Sequence, residues 1–211
     1  KEKFFHVPLT EQPEYNGTQL IHSKVIASYL RQLLRNDLQY APFRMEGMEQ
    51  DVREMMEIDT PQGKLALQIG GTIDRLDSKG DTLRIVDYKT GGTPKTPENI
   101  EQLFTPADNR PNYIFQTFLY AAILCRKQSL KVAPSLLYIH RAASESYSPV
   151  IEMGAPRQPK VPVNNFAFFE DEFRERLHGL LQEIFSQEET FSQTEDTRKC
   201  EYCDFRSLCK R

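Results

Sequence analysis

The chain lacks any apolar run approaching the about 20 residues that a membrane-crossing helix needs. No signal-peptide pattern is expected at Lys1-Glu2-Lys3-Phe4-Phe5, which is too short and too charged to form one. Positive charge is in deficit: 27 Lys and Arg against 30 Asp and Glu give a formal net charge of −3. A freestanding nucleic-acid binder is usually basic, so tight autonomous binding to DNA is not expected. A domain handed its substrate by a neighbour needs little basic surface of its own. Cysteine is scarce, with only Cys125, Cys200, Cys203 and Cys209 present. The last three form one Cys-x2-Cys-x5-Cys string, and an odd cluster without a secretory signal argues against disulfides. No internal repeat is visible. The first residue is Lys1 rather than methionine, and the expectation drawn from this is a fragment of a longer protein. What remains is a chain of 211 residues, 39% hydrophobic and 27% charged, which is enough for one domain with its own core.

The stretch from Leu65 to Gly91 organises the rest. Leu65, Leu67, Ile69 and Ile73 alternate on one flank, and Leu83 to Tyr88 is β-branched and apolar on the other. Between them Ser78-Lys79-Gly80-Asp81 reads as a hairpin turn. A hairpin symmetric about Lys79-Gly80 sets Asp74 opposite Ile85, on the same face as Asp87 and Lys89. Two carboxylates side by side call for a cation, and a divalent metal is the natural partner. Mg²⁺ takes one or two carboxylates together with water and phosphate oxygens. The lysine then serves to orient water or to stabilise developing charge. The same residues also fit an Asp–Lys pair on a solvent-exposed hairpin, and by themselves they leave both readings open.

Around that hairpin the pattern predicts an α/β domain with a central mixed sheet of about five strands and three long helices. Residues 1–17 are an irregular entry segment. A helix over 18–37 carries Leu20, Ile21, Val25, Leu30, Leu33 and Leu34 at helical spacing, with His22 in its first turns. Met45 to Ile58 supplies a strand, on which Glu49 is expected to face solvent. A loop from Gly91 to Arg110 holds a short helical stretch around 98–104. Lys95 and Arg110 there are candidates for phosphate contact, or simply solvated charges. Pro111 opens a helix to about Lys127, in which Gln116 and Tyr120, four apart, project to one spot. A buried strand over 134–140 ends at a structural His140. After a proline-rich stretch comes a helix over 165–187, capped by Asn164 or Asn165, and then the cysteine-bearing tail, 194–211.

Gly71-Thr72-Ile73-Asp74-Arg75 followed by Asp87-Tyr88-Lys89-Thr90-Gly91, and then by Gln116-x-x-x-Tyr120, resembles the PD-(D/E)XK nuclease superfamily. The likeness is strongest to the nuclease domains of RecB and AddB and to the small CRISPR-associated exonucleases. The resemblance implies a restriction-endonuclease-like core in a single domain spanning 1–211. It implies cytoplasmic, metal-dependent DNA cleavage within a helicase–nuclease of repair or recombination. On that reading Mg²⁺ or Mn²⁺ is held by His22, Asp74, Asp87 and the backbone carbonyl of Tyr88, with Lys89 catalytic and Gln116 and Tyr120 handling DNA. One departure is that Gly17 and His22 are separated by one residue more than the family's Gly-x-x-x-His. The tail matches the AddB spacing, which makes Cys200, Cys203 and Cys209 candidates for a [4Fe-4S] cluster or zinc; the fourth ligand lies upstream in the parent protein, which is the favoured reading, or is Cys125, or the cluster is absent, and Cys125 is otherwise expected to be a buried thiol. The alternative is an inactive nuclease-like scaffold or DNA-holding module.

Overall fold

Alternating apolar residues punctuated by turns build strands, and the computed structural model, which describes residues 6–107, 110–144, 146–186 and 192–210, gathers four into one sheet. They are β1 (Arg44–Thr60), β2 (Gly63–Lys79), β3 (Thr82–Lys89) and β4 (Lys131–Tyr138), and their order in the sheet follows the chain. The first three pair antiparallel, while β4 lies parallel to β3. A parallel neighbour requires a crossover, and a helix supplies it. The helices are α1 (Gly17–Tyr40), α2 (Asn112–Cys125), α3 (Glu170–Ile184) and a short α4 (Arg206–Cys209), with α2 as the crossover.

The expected fifth strand is not in this sheet. Residues Glu152–Met153 (β5) and Val161–Pro162 (β6) pair only with each other. The prolines at 149, 156, 159 and 162 explain the break, because each removes a ladder donor. Strand β2 pairs with β1 along nearly its whole length but with β3 only from Arg75 to Lys79.

Side chains alternate across the sheet and give it two faces. Leu76, Ile85 and Leu136 meet α2, whose Ile114, Phe118 and Ile123 are fully buried. Behind α2, Phe104, Phe115, Phe118, Phe166 and Phe173 pack ring on ring, with centroids between 4.9 and 6.2 Å apart. Burying each such ring contributes roughly 1.5–3 kcal/mol. This cluster fixes α2, and with it Gln116 and Tyr120, against the sheet. Buried Arg174 of α3 ties the rear together through Glu54 of β1 and Glu170.

The other face, lined by Val86, Leu137 and Ile139, takes Tyr29 and Leu33 of α1. Asn16 starts this helix with a reciprocal capping box to Gln19. Its apolar residues were expected to form a buried stripe, but Leu20, Ile21, Val25, Ile26, Leu30, Leu34 and Leu38 are exposed. They wrap around the helix rather than lining one side, so a single sheet contact cannot cover them. Helix α3 begins five residues later than expected: Asn165 caps a 3-10 turn (Phe166–Phe168), and the helix follows from Glu170. Gln187 lies outside the described residues.

Candidate active site

The β2–β3 hairpin turns at Gly80-Asp81, with Gly80 at φ +62° and Lys79 facing Thr82. The offset differs by two residues from a turn centred on Lys79-Gly80: Leu76, not Asp74, faces Ile85. A slip of two keeps every side chain on its own face. The last pair is Arg75 with Val86, and the next step along both strands brings Asp74 to Asp87.

There the ladder gives way to side chains. The Tyr88 N–H donates to Asp74 Oδ2 at 2.8 Å, so a carboxylate takes the place of a strand carbonyl. Asp87 is 3% exposed. Lys89, two residues on and so on the same face, brings Nζ to 2.5 Å from Asp87 Oδ2. That contact is an ion pair out of hydrogen-bond alignment, and among the described residues Asp87 Oδ2 receives no directed hydrogen bond. Burial pushes the Asp87 carboxyl above the ordinary aspartate range; the Lys89 ammonium pulls it back, and the Asp74 charge raises it further.

From the α2 side, Gln116 Oε1 accepts from Lys89 Nζ at 3.4 Å, and Gln116 Nε2 donates to the Tyr120 hydroxyl at 2.9 Å. Tyr120 is buried and leans over Gly71, where a Cβ would lie 2.7 Å from its hydroxyl oxygen. Glycine at 71 is therefore required by close approach. At Gly70 both a φ of +145° and a Cβ 2.0 Å from the Val52 carbonyl oxygen exclude any side chain. The Gly-Gly pair lets β2 pass between β1 and α2 just before Asp74.

One contributor was not singled out in the sequence. The Tyr113 ring lies 4.3 Å from Lys89 Nζ, a cation–π contact that helps to fix the ammonium. The signal was available, because Tyr113, Gln116 and Tyr120 recur at three and four residues on one helix face.

Behind the site, on the α1 face, lies a second charged cluster that the sequence reading also passed over. Asp77, fully buried, accepts from Arg75 Nε at 2.9 Å and from Arg84 Nε and Nη2 at 2.9 and 2.8 Å. Arg75 Nη1 donates to Asp37 of α1 and, at 3.1 Å, to the Tyr88 hydroxyl. Burial works against the charged Arg75 guanidinium, but the hydrogen bonds to Asp37 and Tyr88 outweigh it and raise its pKa. Arg84 stacks on the Tyr40 ring at 3.5 Å.

Other expected ligands stand apart. His22 is exposed on α1, and among the described residues no group of three or more His, Cys, Asp or Glu is arranged to hold a metal. That covers the tail as well: Cys200, Cys203 and Cys209 are free thiols that do not form such a group. Cys125 is half-buried, and burial, followed by the Glu170 charge, pushes its thiol up to about 11. Glu49 is exposed at φ +48°. His140 is exposed, with its ring edge-on to Tyr138.

The donor set at the hairpin suits a hard divalent cation. Two carboxylates stand side by side, one of them with a buried oxygen lacking an aligned donor. No curated protein matches the chain. A family model for the PD-(D/E)XK nuclease superfamily matches residues 2–210. That family is one of nucleases which typically use divalent metals, and the four-stranded mixed sheet between helices agrees with its restriction-endonuclease-like fold. With the match running over nearly the whole length, the chain belongs to the PD-(D/E)XK nuclease superfamily.

Proposed function

We propose that this is a divalent-metal-dependent deoxyribonuclease, the nuclease unit of a RecB/AddB-type helicase–nuclease acting in DNA repair or recombination. One observation carries the reading: Asp74, Asp87 and Lys89 share one face of the hairpin, and the buried Asp87 has an oxygen without an aligned donor. Asp74, Asp87 and the Tyr88 carbonyl would hold Mg²⁺ or Mn²⁺; the exposed His22 is left out of the set. When bound, such an ion supplies Lewis-acid polarisation of the phosphodiester and acidifies water.

The chain's own side chains do the rest. Lys89, held between Asp87, Gln116 and the Tyr113 ring, places a fixed positive charge where the attacked phosphate gains negative charge. Gln116, braced from behind by the buried Tyr120, orients the strand. Gly71 leaves Tyr120 the room to brace it.

The test is cleavage of end-labelled DNA with Mn²⁺, and separately with Mg²⁺. Activity is expected in the parent chain and a loss of about 10³-fold or more in Asp74→Ala, Asp87→Ala and Lys89→Ala. DNA binding without metal-dependent cleavage would instead identify the inactive holding module. The helicase context is tested by whether a motor protein co-purifies with the native protein or adjoins this segment in the same polypeptide.

A further inference from the structure

Next to Lys89 the surface opens into a cleft of about 300 Å³ between the loop after β3 and the start of α2. Tyr113 is the shared wall: its ring contacts the Lys89 ammonium and also lines the cleft. The cavity therefore begins one side chain away from the carboxylate pair. We propose that it is a nucleotide subsite, which seats the base next to the scissile phosphate against Tyr113 and draws the following phosphate towards Lys95 and Arg110. The inference rests on the nuclease reading and extends it to where the substrate strand leaves the reaction centre.

Size, surface and charge each point the same way. A volume near 300 Å³ is at the low end for small-ligand clefts and accommodates about one nucleotide. Tyr113 is 44% exposed, with ring surface open for a base, and aromatic stacking accepts every base because each has a π-face. Gly92, at φ +82°, forms the floor, and the nearest atom to a Cβ there would be a Tyr113 ring carbon at 3.4 Å, so glycine leaves the flank of that ring uncovered.

Lys95 and Arg110 are the charged residues among the described lining of the cleft. Lys95 donates to the Arg110 carbonyl at 3.2 Å and Arg110 Nε to the Asn112 side chain at 2.8 Å, which holds both cationic residues at this cleft. The first turn of α2, which forms one wall, carries no acidic residue, so its backbone dipole adds to the positive end. A second cleft of about 280 Å³, lined also by Glu152, shares Lys95, Ile114 and Tyr138 with it.

The test uses the whole 211-residue chain and a short oligothymidylate with one 2-aminopurine, moved position by position. Binding is followed in Ca²⁺, which is expected to support binding without cleavage. One position should show fluorescence quenched by stacking. Tyr113→Leu should remove that quenching and weaken binding about tenfold. Because Tyr113 also touches Lys89, Thr93→Leu, on another wall of the cleft, is the second variant; it narrows the cleft without adding an aromatic ring and should reduce quenching at the same position. Lys95→Ala with Arg110→Ala should lower the slope of log K against log salt by about one to two, while exposed Lys64→Ala leaves it unchanged. Unchanged quenching and affinity in both Tyr113→Leu and Thr93→Leu would overturn the subsite. Quenching in a chain that never cuts DNA in Mn²⁺ would keep the subsite and sink the nuclease reading instead.

Discussion

The sheet buries charge on both faces, and the two faces treat it differently. On the α1 side, both oxygens of Asp77 are filled by guanidinium donors, and only Arg75 Nη2, 2.8 Å away, is out of alignment. On the α2 side, Asp87 is nearly as buried, yet one oxygen has a neighbour without an aligned hydrogen bond. Breaking a buried pair costs several kcal/mol because it strands a charge. A carboxylate with saturated valences is therefore structural. One held by a single ammonium next to a second acid is, on the nuclease reading, where a cation would bind.

The sharpest way to break this comparison is to neutralise each acid in turn. Asp87→Asn is expected to lose about 10³-fold in metal-dependent cleavage without lowering Tm. Asp77→Asn should do the reverse: about 3–5 kcal/mol less stable in urea titration, while Mn²⁺ binding by the folded protein stays within about twofold. Equal losses of Tm in the two variants would remove the distinction.

The pH dependence sharpens the same contrast. The folded-state pKa of Asp87 is raised, so just above the ordinary carboxylate value the native state holds a proton that the unfolded chain has released. Stability of the metal-free protein contributed by this group should therefore be present below that value and be lost as pH rises through the raised one. Cleavage, which needs the ionised acid, should climb over the same interval. Calorimetric Tm of parent and Asp87→Asn, compared from about pH 4 upward, reads the difference; parallel curves would show that Asp87 has no raised pKa.

Smaller effects follow from the contacts around the pair. Gly71→Ala should reduce kcat about tenfold by displacing the buried Tyr120 hydroxyl, and adding Tyr120→Phe should recover folding stability but not rate. Tyr88→Phe removes the one hydroxyl that joins Arg75 to the strand of the acidic pair. It should cost about 1 kcal/mol, with a change in kcat/KM of less than about threefold if the two faces are as independent as their chemistry suggests.

The shared face of Asp74, Asp87 and Lys89 was legible because strand periodicity is two, and a register error of two residues preserves it. The register itself was not legible, because Lys79-Gly80 and Gly80-Asp81 are both acceptable turns. The Gln116–Tyr120 contact followed from helical spacing alone. The Asp37–Arg75 bond could not be read, since it joins residues 38 apart whose meeting depends on how α1 crosses the sheet. The same ignorance made the apolar residues of α1 look like a core stripe. Tyr113 was legible in principle but hidden by its ordinary appearance at the start of a helix.

The long β1–β2 ribbon has one consequence beyond support. Where β3 separates from β2, past Arg75, the two strands stop sharing their main-chain groups, and amides along the fork need substitutes. The Tyr88 amide finds one in Asp74, so a single acid both mends the fork and lies beside Asp87. Two-stranded ribbons twist more steeply than wider sheets. The width of the fork, and so the spacing of its acids, is accordingly governed by the ribbon's coil, which makes residues far out on that arm levers on the chemistry at its root.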